Sequence, residues 1–483
     1  MTFRIPVLCA AIVLATAAPA SARDLVTIDA PSVNVNEATA NYNADNTDRR
    51  LRANVLLPEG YDADRDYPVL FLLHGAGDAY TSWALPEKGA IAETAEDLDA
   101  IIVMPEGATA FYTDWFNGGR RGDPAWETYY LEELIPLVER RFSVRTGRRW
   151  HAIAGLSMGG FGATDLASRL PGYFGNVGAF SGALDIQDPG VVGLFSSQDP
   201  SYEDYWGAPD GAYATGHNPA RLTDNLRASR VYVTTGDGTP EPGQPASPGA
   251  LTAGAALEAG VKRLSDTYVA AARASGVDVT YSPEHGVHDW PYWRRDVHEL
   301  MAWGPFAEVP EAPEAWTYET VATRGDMWGL HFAFSAPPDA VATFRRQGAQ
   351  LAGDGAGEVT VVNARGCGFT ARLPFDRALP PAACAASLGV PGQRMRVSVR
   401  PRAVPRGRSV RLRVRVTVRR GGRVTPVRRA LVKVGGTRAR TGRSGRAVLR
   451  RTFAGRPGTR TVFSTRPGLA KAKGRVRVLA ARR

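Results

Sequence analysis

The stretch that decides the fold is WHAIAGLSMGGFG, residues 150–162. It predicts a short apolar strand, a Gly-x-Ser-x-Gly turn and the start of a helix. A serine hydroxyl projects from so tight a turn only when glycines flank it, and Gly155 and Gly159 supply them. The helix behind the turn offers backbone N–H groups to a developing oxyanion. Ser157 is therefore the candidate nucleophile.

The sequence around this stretch alternates between strand patterns and helix patterns from Leu25 to about Phe306. Apolar runs predict strands at 52–57, 69–73, 100–104, 176–180, 231–235 and 277–281. Helical spacing of apolar residues predicts helices within 129–142 and 255–274. Strands separated by helices form a mostly parallel sheet covered on both faces. The predicted class is therefore α/β, with an α/β-hydrolase fold over residues 23–306.

Two backbone donors for an oxyanion can be placed near the elbow. His74-Gly75-Ala76 opens an HGxG-like turn directly after the strand at 69–73, and the N–H of Ala76 is the first candidate. The second is the N–H of Met158, the residue after the nucleophile. Each such donor stabilises a tetrahedral intermediate by about 3–4 kcal/mol. We expect His74 itself to shape the turn.

The loop at 284–293 supplies the general base, and His288 is the first choice. His285 is a local rival, whereas His298 falls in a predicted helix. Imidazole suits this role because its pKa of about 6.5 lets it take and return a proton near neutral pH. Two acids compete to orient it: Asp237, just after the strand at 231–235, and Glu258, in the next helix. Position after the strand favours Asp237.

The segment from about Pro68 to Trp303 resembles the esterase family that includes mycolyltransferases, S-formylglutathione hydrolase-like enzymes and feruloyl esterases. The motifs that carry this resemblance are GLSMG at 155–159, FYTDW at 111–115, YWG at 205–207, GDGTP at 236–240 and HDWPYW at 288–293. The resemblance implies that the acid is Glu258, which follows Leu257, with Asp237 as the alternative. It also implies ester cleavage through an acyl-enzyme.

One departure bears on the acceptor of the acyl group. Mycolyltransferases have Asp-Gly-Leu where this chain has His74-Gly75-Ala76, a form that is commoner in plain esterases. Hydrolysis of a small-molecule or glycolipid ester is therefore the first hypothesis. Transfer of the acyl group to a sugar hydroxyl is the second, and an inert wall-binding or adhesion body is the third. Trp115 and Trp290 are candidates to line the substrate pocket, or else to pack in the core.

Neither a cofactor nor a metal is expected, because the histidines are not clustered and few cysteines are present. Residues 1–22 predict a secretory signal: Arg4 precedes an apolar run at 5–18 and a small-residue cleavage site. No other segment predicts a membrane span, so the protein is expected to be secreted or wall-associated. Beyond Cys9 in that signal, Cys367 and Cys384 are expected to form a disulfide.

Charge divides the chain sharply. Thirty of its 59 lysines and arginines, but none of its 48 acidic residues, lie from Arg394 onward. The formal net charge of +11 is therefore the sum of −19 for residues 1–393 and +30 for the basic end. On an exported protein such a basic end favours an anionic cell-wall polymer or lipid headgroups as partner, and the alternative is an arginine-rich surface with no dedicated partner. Nucleic acid is not expected as a partner, because Phe453 and Phe463 are the only aromatic residues in this part of the sequence.

Two smaller all-β domains are predicted after a linker rich in Pro, Glu and Ala at 305–313. Residues 314–390 form a small β-rich unit. Arginine alternates with apolar residues at 410–416, a period of two that places arginine on one sheet face. With turns at 421–422, 435–436 and 442–445, residues 394–483 resemble an immunoglobulin-like or carboxypeptidase-regulatory-like β-sandwich module.

Overall fold

The computed structural model describes residues 23–480 except 37–45, 48, 118–123, 244–245, 385–387, 389, 391–392, 421–422, 428–429, 455 and 467–468. The signal predicted at 1–22, including Cys9, and the turn predicted at 421–422 lie outside the described residues. Among the described residues, no helix combines the length and the apolar character that crossing a bilayer requires.

The first unit contains a sheet of eight strands: β1 (Leu25–Asp29), β2 (Arg52–Leu56), β3 (Val69–Leu73), β4 (Ile101–Pro105), β5 (His151–Leu156), β6 (Asn176–Phe180), β7 (Arg230–Gly236) and β8 (Asp278–Glu284). Their order is β1-β2-β4-β3-β5-β6-β7-β8. The pairs β1–β2 and β2–β4 are antiparallel, and the other neighbours are parallel.

Among the described residues, eight helices lie between the strands of this sheet and a ninth, α9, follows β8: α1 (Ile91–Thr94), α2 (Trp126–Tyr129), α3 (Ile135–Arg141), α4 (Met158–Arg169), α5 (Pro189–Ser196), α6 (Tyr202–Trp206), α7 (Ala212–Thr215), α8 (Ala255–Ala274) and α9 (Trp290–Trp303). Short 3₁₀ turns lie at Ser82–Ala84, Arg148–Trp150, Pro219–Arg221 and Thr223–Leu226, and π turns at Tyr130–Leu134 and Ala250–Gly254.

Strand β3 shows how the sheet is buried on both faces. All five of its residues are buried, and they alternate between two apolar clusters. Phe71 and Leu73 belong to the cluster that contains Phe161 of α4, whereas Leu70 and Leu72 share the other cluster with Val297 of α9. Helices therefore cover both faces, as the continuous apolar strands require. The unit is an α/β-hydrolase fold.

The helix predicted within 129–142 is interrupted by a π turn between α2 and α3. The N–H of Ile135 donates to the carbonyl of Tyr130, five residues earlier. Pro136 follows directly, and proline has no N–H to continue the α-helical pattern and crowds the carbonyl four residues before it. The longer turn relieves this conflict, which the periodicity of apolar residues does not reveal.

The second part of the chain is built from strands in separate antiparallel sheets. Strands β9 (Ala315–Thr320), β10 (Arg324–Met327), β11 (Leu330–Phe334), β12 (Ala342–Gln347), β13 (Gln350–Asp354), β14 (Glu358–Val362), β15 (Gly368–Arg372) and β16 (Phe375–Ala378) form two four-stranded sheets around one apolar cluster. The predicted disulfide between Cys367 and Cys384 is present.

The last described strands are β17 (Gln393–Arg400), β18 (Ala403–Pro405), β19 (Ser409–Arg420), β20 (Arg423–Pro426), β21 (Leu431–Val434), β22 (Thr437–Arg440), β23 (Arg446–Thr452), β24 (Gly458–Arg466) and β25 (Leu469–Leu479). They enclose an apolar cluster of their own, to which Leu412, Val414 and Val416 of β19 contribute. The alternating arginines of β19 are exposed, as the period of two predicts.

The sheets of β9–β16 dock onto the α/β unit through polar contacts. Asn225 donates to the carbonyl of Glu319 at 2.9 Å and accepts from its N–H at 2.7 Å. The Tyr318 hydroxyl donates to the carbonyl of Arg169, the last residue of α4, at 3.1 Å. Arg324 pairs with Glu132 at 2.7 Å. These contacts fix the second unit at the end of α4 that lies away from Ser157.

Candidate active site

Ser157 occupies the turn between β5 and α4. Its backbone has φ 53° and ψ −117°, a conformation that is strained for a residue with a side chain. A Cβ on Gly159 would lie 2.6 Å from the carbonyl oxygen of Leu73, and one on Gly155 would lie 2.5 Å from that of Gly159. Only glycine fits at either position. The absence of a side chain there lets the turn pack tightly against β3, and the Ser157 side chain projects from the turn.

His288 connects Ser157 to Glu258. Its Nε2 lies 2.9 Å from Ser157 Oγ, and its Nδ1 lies 2.6 Å from Glu258 Oε2. An ionised carboxylate only accepts hydrogen bonds, so Nδ1 carries the proton in the neutral ring and Nε2 is free to accept from the serine hydroxyl. The loop after β8 holds His288 in place. The backbone N–H of His288 donates to the carbonyl of Gly254, and its ring packs perpendicular to that of Trp293, with the ring centres 4.9 Å apart.

Glu258 is fully buried on α8, and both of its oxygens are hydrogen bonded. Oε2 faces His288, while Oε1 accepts from Ser181 Oγ at 2.7 Å, Thr235 Oγ1 at 3.0 Å and the N–H of Gly236 at 2.6 Å. A buried carboxylate is tolerated only when such donors replace its lost water. These donors therefore hold the carboxylate in place, with Oε2 oriented toward the imidazole.

Asp237 is not part of this chain of hydrogen bonds, although its position after β7 favoured it as the acid that orients the histidine. Its carboxylate pairs with His285 Nδ1 at 2.8 Å and accepts from Thr239. The N–H of Gly236 turns inward to Glu258, which leaves the next side chain on the outer side of the strand end. The two local rivals, Asp237 and His285, thus pair with each other on the more exposed side.

The turn at 74–77 lies against Ser157. A Cβ on Gly75 would be 3.4 Å from the Ser157 Cβ. His74 holds this turn, as the sequence predicted: its Nδ1 faces the carbonyl of Gly75 at 2.8 Å and its Nε2 accepts from the N–H of Gly107 at 3.0 Å. Ala76 follows in the same turn.

Met158 is the first residue of α4. Its N–H therefore has no partner within the helix. The N–H groups of Met158 and Ala76 accordingly remain the candidate oxyanion donors next to Ser157.

The two tryptophans suggested for substrate contact lie in packed surroundings. Trp290 is 9% exposed and packs with its ring 5.0 Å from that of Trp83 and 5.4 Å from that of Trp293. Trp115 is half-buried, with its ring 4.8 Å from that of Tyr205. Packing explains Trp290 fully, and substrate contact by either residue stays a prediction.

Sequence reasoning missed the residues that hold the acid. Ser181 follows β6, has φ 46°, and donates to Glu258 while accepting from Trp293 Nε1 at 3.2 Å. A single serine after an apolar strand gives no sequence signal of this role. Thr235 lies at the end of β7, next to the motif at 236–240, and a polar residue in an apolar strand was the only available hint.

A large cavity lies elsewhere, between the α/β unit and β9–β16. Its volume is about 900 Å³, and its lining contains neither Ser157, His288 nor Glu258. Arg169 and His217 line one side and Tyr318 lines the other. Glu127 lies 3.4 Å from Arg169 Nε and 3.2 Å from His217 Nε2, so the charge of Arg169 is already paired and the imidazole already has a polar partner. The cavity is a feature of the junction between the two units.

Comparison with known proteins gives matches over the α/β unit. Residues 44–303 match the family model described as "Putative esterase". Esterase MT1326 of Mycobacterium tuberculosis (strain CDC 1551 / Oshkosh) is 32% identical over 201 residues, 39% of this chain and 43% of that protein, so the chain spans less than half of that relative. The diacylglycerol acyltransferase/mycolyltransferase Ag85A of Mycobacterium gordonae is 31% identical over 251 residues, 48% of this chain and 71% of that protein.

A solved structure, that of fluorophosphonate-binding serine hydrolase F of Staphylococcus aureus, aligns with a TM-score of 0.45 and 19% identity. The alignment covers 59% of this chain and 99% of that one.

Proposed function

Because the chain belongs to the Esterase family, whose model it matches over residues 44–303, we propose that it hydrolyses carboxylic esters through an acyl-enzyme on Ser157. The observation that carries the proposal is the unbroken chain of hydrogen bonds from Ser157 Oγ through His288 to Glu258, at 2.9 and 2.6 Å. This is the arrangement of nucleophile, base and orienting acid that acyl transfer requires. We propose that Trp115 lies close enough to contact the bound ester.

The first half of the reaction forms the acyl-enzyme. Ser157 Oγ attacks the ester carbonyl carbon while His288 Nε2 takes the hydroxyl proton. Glu258 stabilises the imidazolium that results, and the N–H groups of Ala76 and Met158 donate to the oxyanion. When the intermediate collapses, the bond between the carbonyl carbon and the alcohol oxygen breaks. His288 gives its proton to the leaving alcohol.

The second half releases the acid. His288 Nε2 takes a proton from a water molecule, whose oxygen attacks the acyl carbon. The tetrahedral intermediate again places its oxyanion on the two backbone donors. Collapse breaks the bond to Ser157 Oγ, which recovers its proton from His288. The carboxylic acid leaves, and the enzyme returns to its starting state.

Transfer of the acyl group to a sugar hydroxyl is the second candidate, since it needs only a different acceptor in the second half. The similarity to a protein named diacylglycerol acyltransferase/mycolyltransferase favours it. Product partition distinguishes the two reactions: an added sugar acceptor diverts acyl groups into a new ester only in a transferase. We further propose that the protein acts outside the cell, as residues 1–22 suggest.

A short-chain aryl ester tests the proposal through paired variants. We expect Ser157→Ala and His288→Ala to lower kcat/KM by about 10³-fold or more. Glu258→Gln should lower it by at least about 10²-fold, because the amide disturbs the tautomer of His288. His285→Ala and Asp237→Asn are the matched controls and should keep kcat/KM within about twofold of wild type, since surface changes have small effects.

Unchanged turnover by Ser157→Ala would overturn the proposal. A loss in His285→Ala as large as that in His288→Ala would overturn the assignment of the base. An inert body, the third hypothesis, would give no turnover on any ester in a panel of acetyl-sugar, feruloyl and long-chain acyl substrates.

A further inference from the structure

One surface of the C-terminal strands carries mostly arginine. We define the arginine face as the exposed side of β17, β19 and β23. Residues on the opposite side of the same strands, such as Leu412, Val414 and Leu449, are buried in the apolar cluster. The face is formed by seven exposed arginines: Arg396, Arg400, Arg411, Arg413, Arg415, Arg446 and Arg450.

The strand register places these arginines against each other. Arg400 lies opposite Arg413, Arg411 opposite Arg450, and Arg415 opposite Arg446. Like charges directly opposite each other on neighbouring strands destabilise a sheet. Three such pairs on three adjacent strands are therefore a cost that the fold alone does not explain.

Nothing in the described part of the molecule offsets this charge. No acidic residue occurs in the sequence from Arg394 onward. Among the described residues, none of the seven arginines forms an ion pair with a carboxylate, although ion pairs are frequent in the α/β unit. The acidic body of the chain thus leaves the arginine face to solvent, and an external anion would relieve the repulsion.

We propose that the arginine face binds a linear polyol-phosphate polymer, in which phosphodiesters are joined by short polyol units. Arginine suits this ligand because its planar guanidinium binds phosphate oxygens through two parallel hydrogen bonds. A row of cations along neighbouring strands fits a chain of repeated anions better than it fits a single compact ligand.

The spacing of the charges matches an extended polymer of this kind. Side chains two residues apart on one face of a strand, such as Arg411, Arg413 and Arg415, are separated by about 6.8 Å. Three covalent bonds advance an extended chain by about 3.5 Å, so phosphates joined by a three-carbon polyol, six bonds apart, repeat at about 7 Å. One strand can thus pair successive phosphates with successive arginines.

Nucleic acid shares the phosphodiester but also needs a platform for its bases. Binding of single strands relies on aromatic side chains on which the bases stack. None of the outward positions of β17, β19 and β23 that the structure describes is aromatic; Ser398 and Val448 occupy the places between the arginines. The face is therefore suited to a phosphate polymer without bases, which binds through charge alone.

Binding is tested with the full chain and poly(glycerol phosphate), by calorimetry at several salt concentrations. The face variant is Arg400→Gln/Arg411→Gln/Arg413→Gln. The matched control removes the same charge from exposed arginines on β22 and β25: Arg438→Gln/Arg475→Gln/Arg477→Gln. We expect the face variant to bind about tenfold or more weakly. The slope of log K against log salt concentration should become shallower by about 2, as the loss of three phosphate contacts implies. The control should lose about threefold at most.

Three further probes define the partner. Alginate carries carboxylates in place of phosphodiesters, oligothymidylate carries bases, and phosphatidylglycerol vesicles present a membrane. The proposal expects each to bind more weakly than poly(glycerol phosphate) at equal charge concentration. Equal loss in the face variant and the control would overturn the proposal, as would tighter binding of any of the three probes.

Thermal unfolding separates binding from folding. Because the opposed arginines repel each other, the face variant should unfold at the same temperature as wild type or higher. Poly(glycerol phosphate) should raise the unfolding temperature of the wild type more than that of the variant. A face variant that unfolds at a lower temperature would show that these arginines stabilise the sheet, and the proposal would fail.

Discussion

Ser181 illustrates how much of the site depends on single side chains that do not touch the substrate. Its hydroxyl donates to Glu258 Oε1 and accepts from Trp293, whose ring in turn packs on His288. The acid, the base and their supports thus form a closed ring of contacts. Ser181 is a positioning residue that acts through Glu258.

Replacing Ser181 with Ala should lower kcat by about 10- to 100-fold with little change in KM, because buried Glu258 loses one donor and holds the imidazole less firmly. Steady-state kinetics on an aryl ester measure this. Ser168→Ala is the matched control, since the Ser168 hydroxyl is also buried but donates only to the carbonyl of Thr164. A fall in stability without a fall in kcat would mean that Ser181 is merely structural.

The choice between Glu258 and Asp237 shows where residue-level prediction ends. The candidate nucleophile, the candidate base and the turn at 74–77 follow from local patterns, because each lies at a strand end in the chain order of the fold. The acid does not, since α8 brings Glu258 back to the end of β7 from 22 residues away. Only the family resemblance favoured Glu258, whereas position after the strand favoured Asp237, whose carboxylate pairs with His285 instead of His288.

At the scale of elements, the junction of β3, β5 and α4 controls the geometry of the elbow. Gly159→Ala should destabilise the protein by about 1–3 kcal/mol, because its Cβ would lie 2.6 Å from the Leu73 carbonyl and 2.7 Å from that of His74. Activity should fall with it, since the same atoms position the turn that carries Ala76. Urea unfolding and ester turnover measure the two effects.

The control for this substitution is Gly193→Ala in α5, where a Cβ meets no atom within 4 Å. That change should leave activity intact and stabilise the protein slightly, by about 0.5–1 kcal/mol, as alanine does in helices. A stable, fully active Gly159→Ala would contradict the tight packing of the elbow.

Most elements of the α/β unit are predictable because its strands are continuous apolar runs. The predicted strand 69–73 and helix 255–274 agree with β3 and α8 to the residue. The break between α2 and α3 was missed because it depends on how Pro136 fits the carbonyl of a preceding residue. The docking of β9–β16 on α4 was also beyond prediction, since it rests on contacts such as Asn225 to Glu319 between distant segments.

For the whole molecule, stability should vary with pH through Asp296. Burial raises the pKa of this carboxyl to about 8, with the charge of Arg295 opposing the shift. Between about pH 4 and pH 8 the unfolded chain has released this proton while the folded protein retains it. Folding therefore binds a proton in this range, and the free energy of unfolding decreases as pH rises.

Asp296→Asn should remove this dependence. Relative to the variant, the wild type should lose a few kcal/mol of stability from acid to alkaline pH. Denaturant unfolding at a series of pH values measures the difference. Asp64→Asn, at an exposed position, is the matched control and should follow the wild type. Parallel curves for the wild type and Asp296→Asn would contradict the prediction.

The division of charge is the other property of the whole molecule. The first 393 residues are acidic overall and the last strands are basic, so one chain combines a proposed ester-cleaving site with a proposed phosphate-binding surface. Composition alone predicted the charge, but only the strand register revealed that arginines oppose each other. The two proposals are independent, since substitutions on β17 and β19 leave the contacts of Ser157 unchanged.

The most direct test of the central claim is to label the full chain with a fluorophosphonate and locate the adduct by peptide mass spectrometry. We expect one adduct, on Ser157, that forms rapidly in the wild type and in His285→Ala. It should form far more slowly in His288→Ala, because the base that activates the hydroxyl is gone. No adduct on folded protein, or an adduct on another residue that persists in Ser157→Ala, would contradict the assignment of Ser157 as the nucleophile.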